Sequence, residues 1–412
     1  MRVGIALSRL AREDRNMRDC VATFNTGSSS LKFALYEIIN AQLGACLLRC
    51  NLKGLNDDVS IDLVRGGIAC QDGVKAAIAD IAPAPTHLLP ALIDYMSKLA
   101  ADLNLVAIGH RIVHGGQHHI GPCQSNKNVL TELETLSVFA PDHQPHNLAG
   151  VEALSASHAH LLQSLSFDTS FHRSIPRTAQ LYAIPKTLTD KGLLRFGFHG
   201  LSYQHIAEHA PCVLEGQPQS RIIAAHLGSG ASLCAIKSGK SVATTMGLTA
   251  LSGIPMAKRC GDVDPGLILY LMQDNELSHD QISDMLYHRS GLLGLSGISA
   301  NTDDLLRDDR PSAKQAIAHY VDRVSREIGA LIVALEGLDA IVFTGGVGEN
   351  APEIRRRICQ KLRYLGLKLD QKANLASADI ITEKTSSITA AVIKADEEQI
   401  IARDAINVWT AA

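Results

Sequence analysis

Two glycine- and serine-rich turns in the sequence each lie between two short apolar segments. Residues 21–24 are apolar, residues 25–30 are polar, and apolar and polar side chains then alternate over residues 31–36. Residues 222–236 repeat this order, with an apolar segment on each side of a glycine- and serine-rich turn. Because alternation with a period of two is typical of a strand, each copy predicts a β-hairpin with a polar tip. The repetition predicts two related halves whose tips offer backbone N–H groups to an anion; a chance likeness of two common turns is the alternative.

A third glycine-rich segment follows an apolar strand at residues 341–344 and leads into a helix. The spacing of Asn350 and Glu353 predicts a capping box at the start of this helix, and Gly366 is placed to end it. An apolar stripe predicts the buried face of the helix: Ile354, Ile358, Leu362 and Leu365. The order strand, glycine, helix leaves backbone N–H groups where a nucleotide could bind, although a tight turn without a ligand has the same pattern.

Length and charge limit the function classes. A chain of 412 residues predicts two domains or one large α/β unit. The formal net charge of -3 argues against nucleic acid or an anionic membrane as a partner. The nine cysteines contain no Cys-x-x-Cys pair, which favours reduced thiols in the cytosol. Residues 1–20 lack the apolar core of a signal peptide, and Met17 is an alternative start.

Two arginines stand in unusual surroundings. Arg111 and Arg259 each follow an apolar stretch and precede glycine. The paired donors of a guanidinium match two oxygens of a carboxylate or of a transferring phosphoryl group, although an ordinary ion pair is the alternative for each. Asp168 is predicted at the end of a strand, and His199 lies between two glycines that would let it approach a ligand closely.

The histidines also raise the question of a zinc site. His110 and His114 are four residues apart, which on a helix would present both side chains to one metal ion. Gly109, Gly115 and Gly116 argue against a regular helix at this point. Zinc is therefore the less favoured interpretation of the pair.

Taken together, these segments resemble the acetate kinase family, which includes propionate kinases and belongs to the acetate and sugar kinase, Hsp70 and actin superfamily. The likeness runs from about residue 21 to the C-terminus, and the motifs stand in the family's order: residues 25–32, 111–116, 167–172, 197–200, 226–232, 259–265 and 343–350.

The resemblance implies an α/β fold of two ribonuclease-H-like (actin-like ATPase) domains with a central cleft, usually in a homodimer. It predicts an N-terminal domain of residues 21–165 plus 390–412, closed by the C-terminal helix, and a nucleotide-binding domain of residues 166–389. Residues 1–20 are expected to be an extension, either disordered or upstream of the true start. A cytoplasmic protein with small-molecule substrates, without nucleic-acid or membrane partners, is expected.

The resemblance also implies roles for individual residues. Asn25 and Glu397 match residues that help hold Mg²⁺, for which Mn²⁺ could substitute, and Lys32 matches a contact to the phosphates of ATP or ADP. Substrate binding falls to Arg111, Val113 and Phe198, and catalysis to Asp168, His199 and Arg259. The remaining nucleotide-binding residues form two loops: His226, Gly228, Ser229 and Gly230, then Gly346, Val347, Gly348, Glu349 and Asn350.

The implied reaction is the reversible, direct in-line transfer of the γ-phosphoryl group of ATP to acetate, giving acetyl phosphate and ADP. A carboxylic acid with a pKa of about 4 is already ionised at neutral pH, so it needs no general base. The site must instead offset the repulsion between two anions, which two arginines, His199 and Mg²⁺ can do. We therefore expect Asp168 to orient an arginine or a Mg²⁺-bound water.

The sequence departs from the family at a few positions. Asp142 and Ala250 replace a leucine and a proline near the acyl pocket, so propionate or another short-chain fatty acid is the alternative substrate. Asn301 and Asp303 stand where the family has aspartate and arginine, which puts their part in nucleotide binding in doubt. Ser229 and Tyr203 are milder changes, from asparagine and histidine.

Two other function classes remain as alternatives. An Hsp70-like, nucleotide-dependent binding module would share the repeated hairpins, but few residues follow Glu397 and the paired arginines would have no purpose in it. A degenerate relative that binds a nucleotide without catalysis would account for the unusual residues 301–303.

Overall fold

The computed structural model describes residues 17–27, 30–54, 60–65, 68–78, 81, 84–99, 102–216, 219–274 and 277–412. These residues form two compact units, the chain up to Ser170 with Asp396–Ala412, and Phe171–Ala395. Residues 1–16 of the expected extension lie outside the described residues. The first strand begins at Arg18, within the segment expected to be that extension.

In the described part of the first unit, seven strands form one sheet in the order β4-β3-β2-β1-β5-β7-β6. Strands β1 to β4 pair antiparallel, β1, β5 and β7 pair parallel, and β6 pairs antiparallel with β7. The strands are β1 (Arg18–Thr26), β2 (Ser30–Ile39), β3 (Gln42–Lys53), β4 (Ser60–Arg65), β5 (Leu103–Ile112), β6 (Cys123–Gln124) and β7 (Leu162–Phe167).

The described strands of the second unit form a five-stranded sheet in the order β10-β9-β8-β11-β12. Strands β8 to β10 pair antiparallel, and β8, β11 and β12 pair parallel. They are β8 (Arg221–Leu227), β9 (Ala231–Lys237), β10 (Lys240–Thr244), β11 (Ala340–Thr344) and β12 (Thr389–Val392). This order repeats β3-β2-β1-β5-β7 of the first sheet, so the two predicted hairpins, β1–β2 and β8–β9, occupy equivalent places.

Helices cover the sheets of both units. Those of the first unit are Ile68–Ile78, Pro85–Lys98, Lys127–Glu134, Gln144–Ser157 and Glu397–Ala411, the last being the C-terminal helix. Those of the second unit are Arg177–Gln180, Lys186–Asp190, Gly200–Val213, Pro265–Asp274, His279–His288, Gly291–Ser296, Thr302–Arg307, Pro311–Leu335, Gly345–Asn350, Pro352–Lys361 and Gln371–Leu375. Short 3₁₀ helices are Thr135–Phe139, Ser170–Ser174 and Arg363–Leu365.

Strand β1 is buried on both faces, which explains its continuous apolar run. Phe24 points into a core shared with helix Pro85–Lys98. Val21 points to the opposite face and packs with Ala402 and Ile406 of the C-terminal helix. The second unit repeats this burial, since Ala224 of β8 packs against helix Gly200–Val213.

The third glycine segment forms a strand and a helix as predicted, but the capping box is wrong. Asn350 is still inside helix Gly345–Asn350, where its Nδ2 donates to Gly346 O over 3.0 Å. The next helix begins at Pro352, whose fixed φ suits a first helical position. Glu353 instead accepts hydrogen bonds from Arg356 and Arg357.

The apolar stripe of that helix is mostly as expected. Ile354, Ile358 and Leu362 are buried, whereas Leu365 lies half-buried in the 3₁₀ turn that follows. Gly366 ends this turn with a φ of 89°. No helix in the described part of the chain is both long and apolar enough to cross a membrane.

Candidate functional site

The predicted polar residues of the first unit lie at the ends of its parallel strands. Asn25 is near the end of β1, Arg111 is near the end of β5, and Asp168 follows β7 directly. Parallel strands bring their carboxyl ends to one edge of a sheet, and polar sites form there for that reason. The C-terminal helix packs on β1, β5 and β7 and adds Glu397 to the same group.

Arg111 connects two of these residues. Its Nε and Nη2 donate to Oδ1 and Oδ2 of Asp168 over 2.9 and 2.6 Å. Its Nη1 donates to Oδ1 of Asn25 over 3.1 Å. Burial opposes the charge of the guanidinium, but the carboxylates of Asp168 and Glu397 outweigh it and raise the pKa of Arg111. The arginine therefore stays charged and keeps a fixed orientation.

Asn25 continues the network to two acids. Its Nδ2 donates to Oε2 of Glu397 over 2.7 Å and to Oε1 of Glu398 over 3.0 Å. Burial raises the pKa of Glu398, the charge of Glu397 adds to that rise, and the charge of Lys32 opposes it. The sequence interpretation missed Glu398, although an adjacent acid in the first turn of a helix was a visible signal.

The residue types of this network suit a hard divalent cation. The carboxylates of Glu397 and Glu398 are buried and meet at the side-chain amide of Asn25, whose Nδ2 faces them and whose Oδ1 faces Arg111. Among the described residues, no group of three or more His, Cys, Asp or Glu side chains could hold a metal ion by itself. Mg²⁺ is usually held by one or two carboxylates together with phosphates and waters, so this donor set suits it.

Val113 lies in the loop after β5 and is 3% exposed. Its backbone N–H donates to Oδ1 of Asn147 over 3.3 Å, and Nδ2 of Asn147 donates to Thr26 O over 2.9 Å. Asn147 thus ties the ends of β1 and β5 together, a role that the sequence interpretation did not assign. Asp142 is half-buried just before helix Gln144–Ser157.

His110 and His114 have other partners than a metal. His110 lies in β5, and its Nε2 is 2.8 Å from Oε1 of Gln163. Burial lowers its pKa to about 4. His114 lies beyond the strand, and its Nδ1 accepts from Gly116 N over 3.0 Å. The structure therefore does not place the two histidines as a helical zinc motif.

In the second unit, the tip of the β8–β9 hairpin is the centre of the predicted group. Gly228 N donates to Gly230 O over 3.1 Å across the turn. A Cβ built on Gly230 would lie 3.4 Å from Nε2 of His199 and 3.6 Å from Nη1 of Arg259. The missing side chain therefore leaves space into which an imidazole and a guanidinium both project.

The other edge of this tip faces two further predicted residues. A Cβ built on Gly228 would lie 3.8 Å from Nε2 of His226 and 3.9 Å from the backbone N of Gly346. The rings of His226 and His199 stack with centroids 4.3 Å apart. Ser229 O accepts from Ala257 N over 3.2 Å, which fixes the outer side of the turn.

Arg259 and Phe198 are both held by backbone contacts. Nη1 of Arg259 donates to the carbonyl of Ala250 over 3.3 Å. Phe198 is 1% exposed, and its carbonyl lies 2.9 Å from Nε2 of the buried His172. Burial lowers the pKa of His172 to about 4, so this histidine is neutral and donates to the carbonyl.

Helix Gly345–Asn350 follows β11 through a turn that requires glycine. Gly345 has a φ of 77°, and a Cβ there would lie 2.8 Å from Leu227 O. Oε1 of Glu349 accepts from Gly345 N over 2.9 Å and from Ala395 N over 3.0 Å. This carboxylate therefore holds the backbone of its own loop, and Gly346 and Asn350 are exposed.

A fully buried arginine holds the other end of the same helix. Nη1 of Arg355 donates to the carbonyls of Gly348 and Glu349, each over 2.8 Å. Its Nε and Nη2 donate to Oδ1 and O of Asn374 over 2.9 and 2.7 Å. The last carbonyls of a helix have no partner within it, so Arg355 satisfies two of them. The sequence interpretation did not identify this residue.

The doubtful pair Asn301 and Asp303 lies at a helix start. Oδ1 of Asn301 accepts from Asp303 N over 2.8 Å and caps helix Thr302–Arg307. Both side chains are exposed.

The acetokinase family matches residues 20–403. The chain belongs to this family. An acetate kinase of Rhodopseudomonas palustris (strain TIE-1) is 42% identical over 409 residues, which cover 96% of this chain and 99% of the relative. Membership of the acetokinase family confirms the predicted family and fold, as well as a phosphotransferase with a carboxylate acceptor. It excludes the Hsp70-like binding module.

Two solved structures extend the likeness. A propionate kinase from Francisella tularensis subsp. tularensis SCHU S4 is 31% identical, covers 95% of this chain and 100% of its own, and has a TM-score of 0.79. An acetate kinase from Porphyromonas gingivalis is 30% identical, covers 95% of this chain and 99% of its own, and has a TM-score of 0.77.

Proposed function

We propose that this protein transfers the γ-phosphoryl group of ATP to acetate, giving acetyl phosphate and ADP, and that it catalyses the reverse reaction at the same site. The observation that carries the proposal is the meeting of His199 Nε2 and Arg259 Nη1 beside the Gly228–Gly230 turn, in a chain of the acetokinase family. Donors that converge beside a glycine-rich turn suit a transferring phosphoryl group.

The acceptor needs orientation more than activation. Acetate is ionised at neutral pH, so no residue has to remove a proton. Arg111 would bind the carboxylate through its guanidinium, and Asp168 would act on Arg111 by fixing the plane of that group. Val113 and Phe198 are the apolar side chains assigned to the acid.

The nucleotide would be bound mainly by the second unit. We assign its phosphates to the turn at Gly228–Gly230, to His226 and to Lys32, and its adenosine to the segment Gly346–Asn350. His199 and Arg259 would stabilise the charge on the equatorial oxygens during in-line transfer. A part for Asn301 and Asp303 at the ribose stays a prediction.

Asn25 and Glu397, with Glu398 beside them, would hold the divalent ion. When bound with ATP, Mg²⁺ (or Mn²⁺) neutralises charge on the phosphates. The charge of Lys32 acts on Glu398, and the charge of Arg111 interacts with both Glu397 and Glu398.

Propionate is the second candidate acceptor. The propionate kinase of Francisella tularensis resembles this chain about as closely as the Porphyromonas gingivalis acetate kinase does. Ala250, whose carbonyl accepts from Arg259, is smaller than the proline of the family, so an acid larger by one methylene is the alternative substrate.

The test is to incubate purified protein with MgATP and acetate, propionate or butyrate and to trap any acyl phosphate with hydroxylamine. We expect hydroxamate from acetate with the highest kcat/KM. A higher kcat/KM with propionate would reassign the substrate. If no acid gave hydroxamate, the protein would instead be a relative that binds a nucleotide without catalysis.

Matched arginine variants make this assay specific. Arg259→Ala should lower kcat by about a hundredfold or more. Arg289→Ala should leave it unchanged, because Arg289 forms an exposed ion pair with Asp284.

We also propose a cytoplasmic homodimer. Helix Pro265–Asp274 exposes Leu269, Tyr270 and Met272, which are 63%, 52% and 56% exposed. An apolar helix that leaves such side chains exposed is typical of a surface covered by a partner, and a second copy of the chain is the partner expected for this family.

A further inference from the structure

Ser232 lies behind His199 and joins it to a buried tyrosine. Its Oγ is 2.8 Å from Nδ1 of His199 and 2.6 Å from the hydroxyl of Tyr203. Ser232 and Tyr203 are both 0% exposed. Each hydroxyl has one proton to donate, and a buried donor without an acceptor is costly, so the direction of these two hydrogen bonds can be worked out.

The tyrosine sets the direction. Burial raises the pKa of Tyr203, and the backbone of His226 near the Tyr203 oxygen acts against that rise. Ser232 is the acceptor that the described residues offer to the Tyr203 proton, so the tyrosine donates to Ser232 Oγ. The Ser232 proton is then donated to Nδ1 of His199, which is its acceptor among the described residues. The opposite direction would leave the Tyr203 proton without an acceptor inside the core.

We propose that Ser232, held by Tyr203, is a positioning residue that keeps His199 in the tautomer with its proton on Nε2. A neutral imidazole carries one proton, so a ring whose Nδ1 accepts must donate from Nε2. That Nε2 is the atom nearest the position of a Cβ on Gly230, beside Nη1 of Arg259. The hydrogen-bond chain therefore turns His199 into a donor aimed at the place proposed for the phosphoryl group.

The backbone of His199 supports the same conclusion. Its φ of 59° is in the left-handed region, which is unfavourable for a residue with a side chain. Such strain persists only where surrounding contacts outweigh it. The hydrogen bond from Ser232 to a ring nitrogen and the stack of the ring with His226 are contacts that hold the side chain of this residue.

The first experiment measures the tautomer directly and needs no substrate. Protein labelled with ¹⁵N-histidine is studied by long-range ¹H–¹⁵N NMR at about pH 8, where an unperturbed imidazole is neutral. A His199→Gln sample identifies the signal of His199 among the seventeen histidines. We expect a protonated Nε2 and a hydrogen-bonded, unprotonated Nδ1. A protonated Nδ1 would overturn the proposal.

Two variants separate the parts of the chain. Ser232→Ala removes the donor to Nδ1, so we expect a mixture of tautomers and a fall in kcat of about tenfold to a hundredfold, typical when a residue that orients a functional histidine is lost. Tyr203→Phe removes the group that sets the direction but leaves Ser232 able to donate to Nδ1, so we expect a smaller loss of the Nε2-protonated tautomer and a smaller fall in kcat than in Ser232→Ala. Unchanged ¹⁵N shifts and unchanged kcat in Ser232→Ala would contradict the proposal.

Tyr320→Phe is the matched control. Tyr320 is also buried in the second unit, but its hydroxyl has no hydrogen-bond partner among the described residues. We expect neither the His199 shifts nor kcat to change. The kinetic part rests on the proposed function, whereas the tautomer does not: a protein without acyl-phosphate activity but with a protonated Nε2 would refute the former alone.

Discussion

Arg111 donates to both carboxylate oxygens of Asp168 from Nε and Nη2, over 2.9 and 2.6 Å. The carboxylate is 1% exposed and the arginine side chain 14%, so the carboxylate is shielded from water and depends on the arginine as its counter-ion. A buried pair of this kind is worth more for orientation than for stability, because its Coulomb energy largely offsets the cost of desolvation. We therefore expect Asp168 to act by orienting Arg111 in a reaction that needs no general base.

Asp168→Asn should disable the enzyme while leaving it folded. The amide keeps the shape of the carboxylate but leaves Arg111 without its buried counter-ion. We expect kcat/KM for acetate to fall by about a hundredfold or more, the loss typical of a misplaced reacting group. The hydroxamate assay measures the fall, and circular dichroism shows whether the variant is folded.

Asp339→Asn is the control for this variant. Asp339 is a buried acid that pairs with Arg221 in the second unit, outside the proposed site. We expect a lower Tm with normal kcat. Full activity in Asp168→Asn, or equal losses in both variants, would contradict the role assigned to Asp168.

Arg355 should matter for the nucleotide and not for the acid. Arg355→Lys keeps the charge but cannot reach the carbonyls of Gly348 and Glu349 together with Asn374. We expect the KM for ATP to rise by about tenfold, with smaller changes in kcat and in the KM for acetate, because one end of helix Gly345–Asn350 is released.

Arg356→Lys tests whether this effect is local. Arg356 lies next to Arg355 on helix Pro352–Lys361 but pairs with the partly exposed Glu353. Its variant should keep the KM for ATP. If Arg355→Lys lowers Tm but leaves both KM values unchanged, Arg355 stabilises the fold without positioning the loop.

The two buried histidines should make stability fall in mild acid. Burial lowers the pKa of His110 and of His172 from 6.5 to about 4. Between these values the unfolded chain binds a proton that the folded chain does not, so the free energy of unfolding rises with pH. Above about pH 6.5 the two histidines do not reduce the free energy of unfolding. As the pH falls toward 4, that free energy decreases by at most about 3 kcal/mol for each histidine.

Urea unfolding at a series of pH values measures this slope. His110→Gln should make it shallower, because one titrating group is removed. His279→Gln is the control, since that side chain is 90% exposed and should leave the slope unchanged. A slope that is the same in all three proteins would show that His110 does not titrate as described.

Self-association should depend on the exposed helix Pro265–Asp274. Leu269→Glu with Met272→Glu places two charges on the apolar surface and should convert a dimer into a monomer. Analytical ultracentrifugation gives the mass of each protein. Leu375→Glu, which changes an exposed leucine on another helix, should leave the dimer intact; a dimer that survives the double change must use another surface.

The two hairpins are elements that a local sequence pattern predicts correctly. Both were predicted from the sequence, because alternation and turn composition are properties of neighbouring residues. Asn350 and Glu353 show where a local pattern fails. Their spacing suits a capping box, yet Asn350 ends the preceding helix and Pro352 begins the next. A local pattern cannot tell which of two adjacent helices contains a residue.

The sequence by itself determined the family, the repeated hairpins and the residue types proposed for phosphoryl transfer, because motif order and composition can be read along the chain. Only the tertiary structure decided which partners these residues have. Asn25 meets Glu397 and Glu398 across more than 370 positions. Ser232 of strand β9 lies beside His199, which is 33 positions away, and Arg355 contacts Asn374, 19 positions further along the chain. Such contacts follow from packing in three dimensions, which no local spacing encodes.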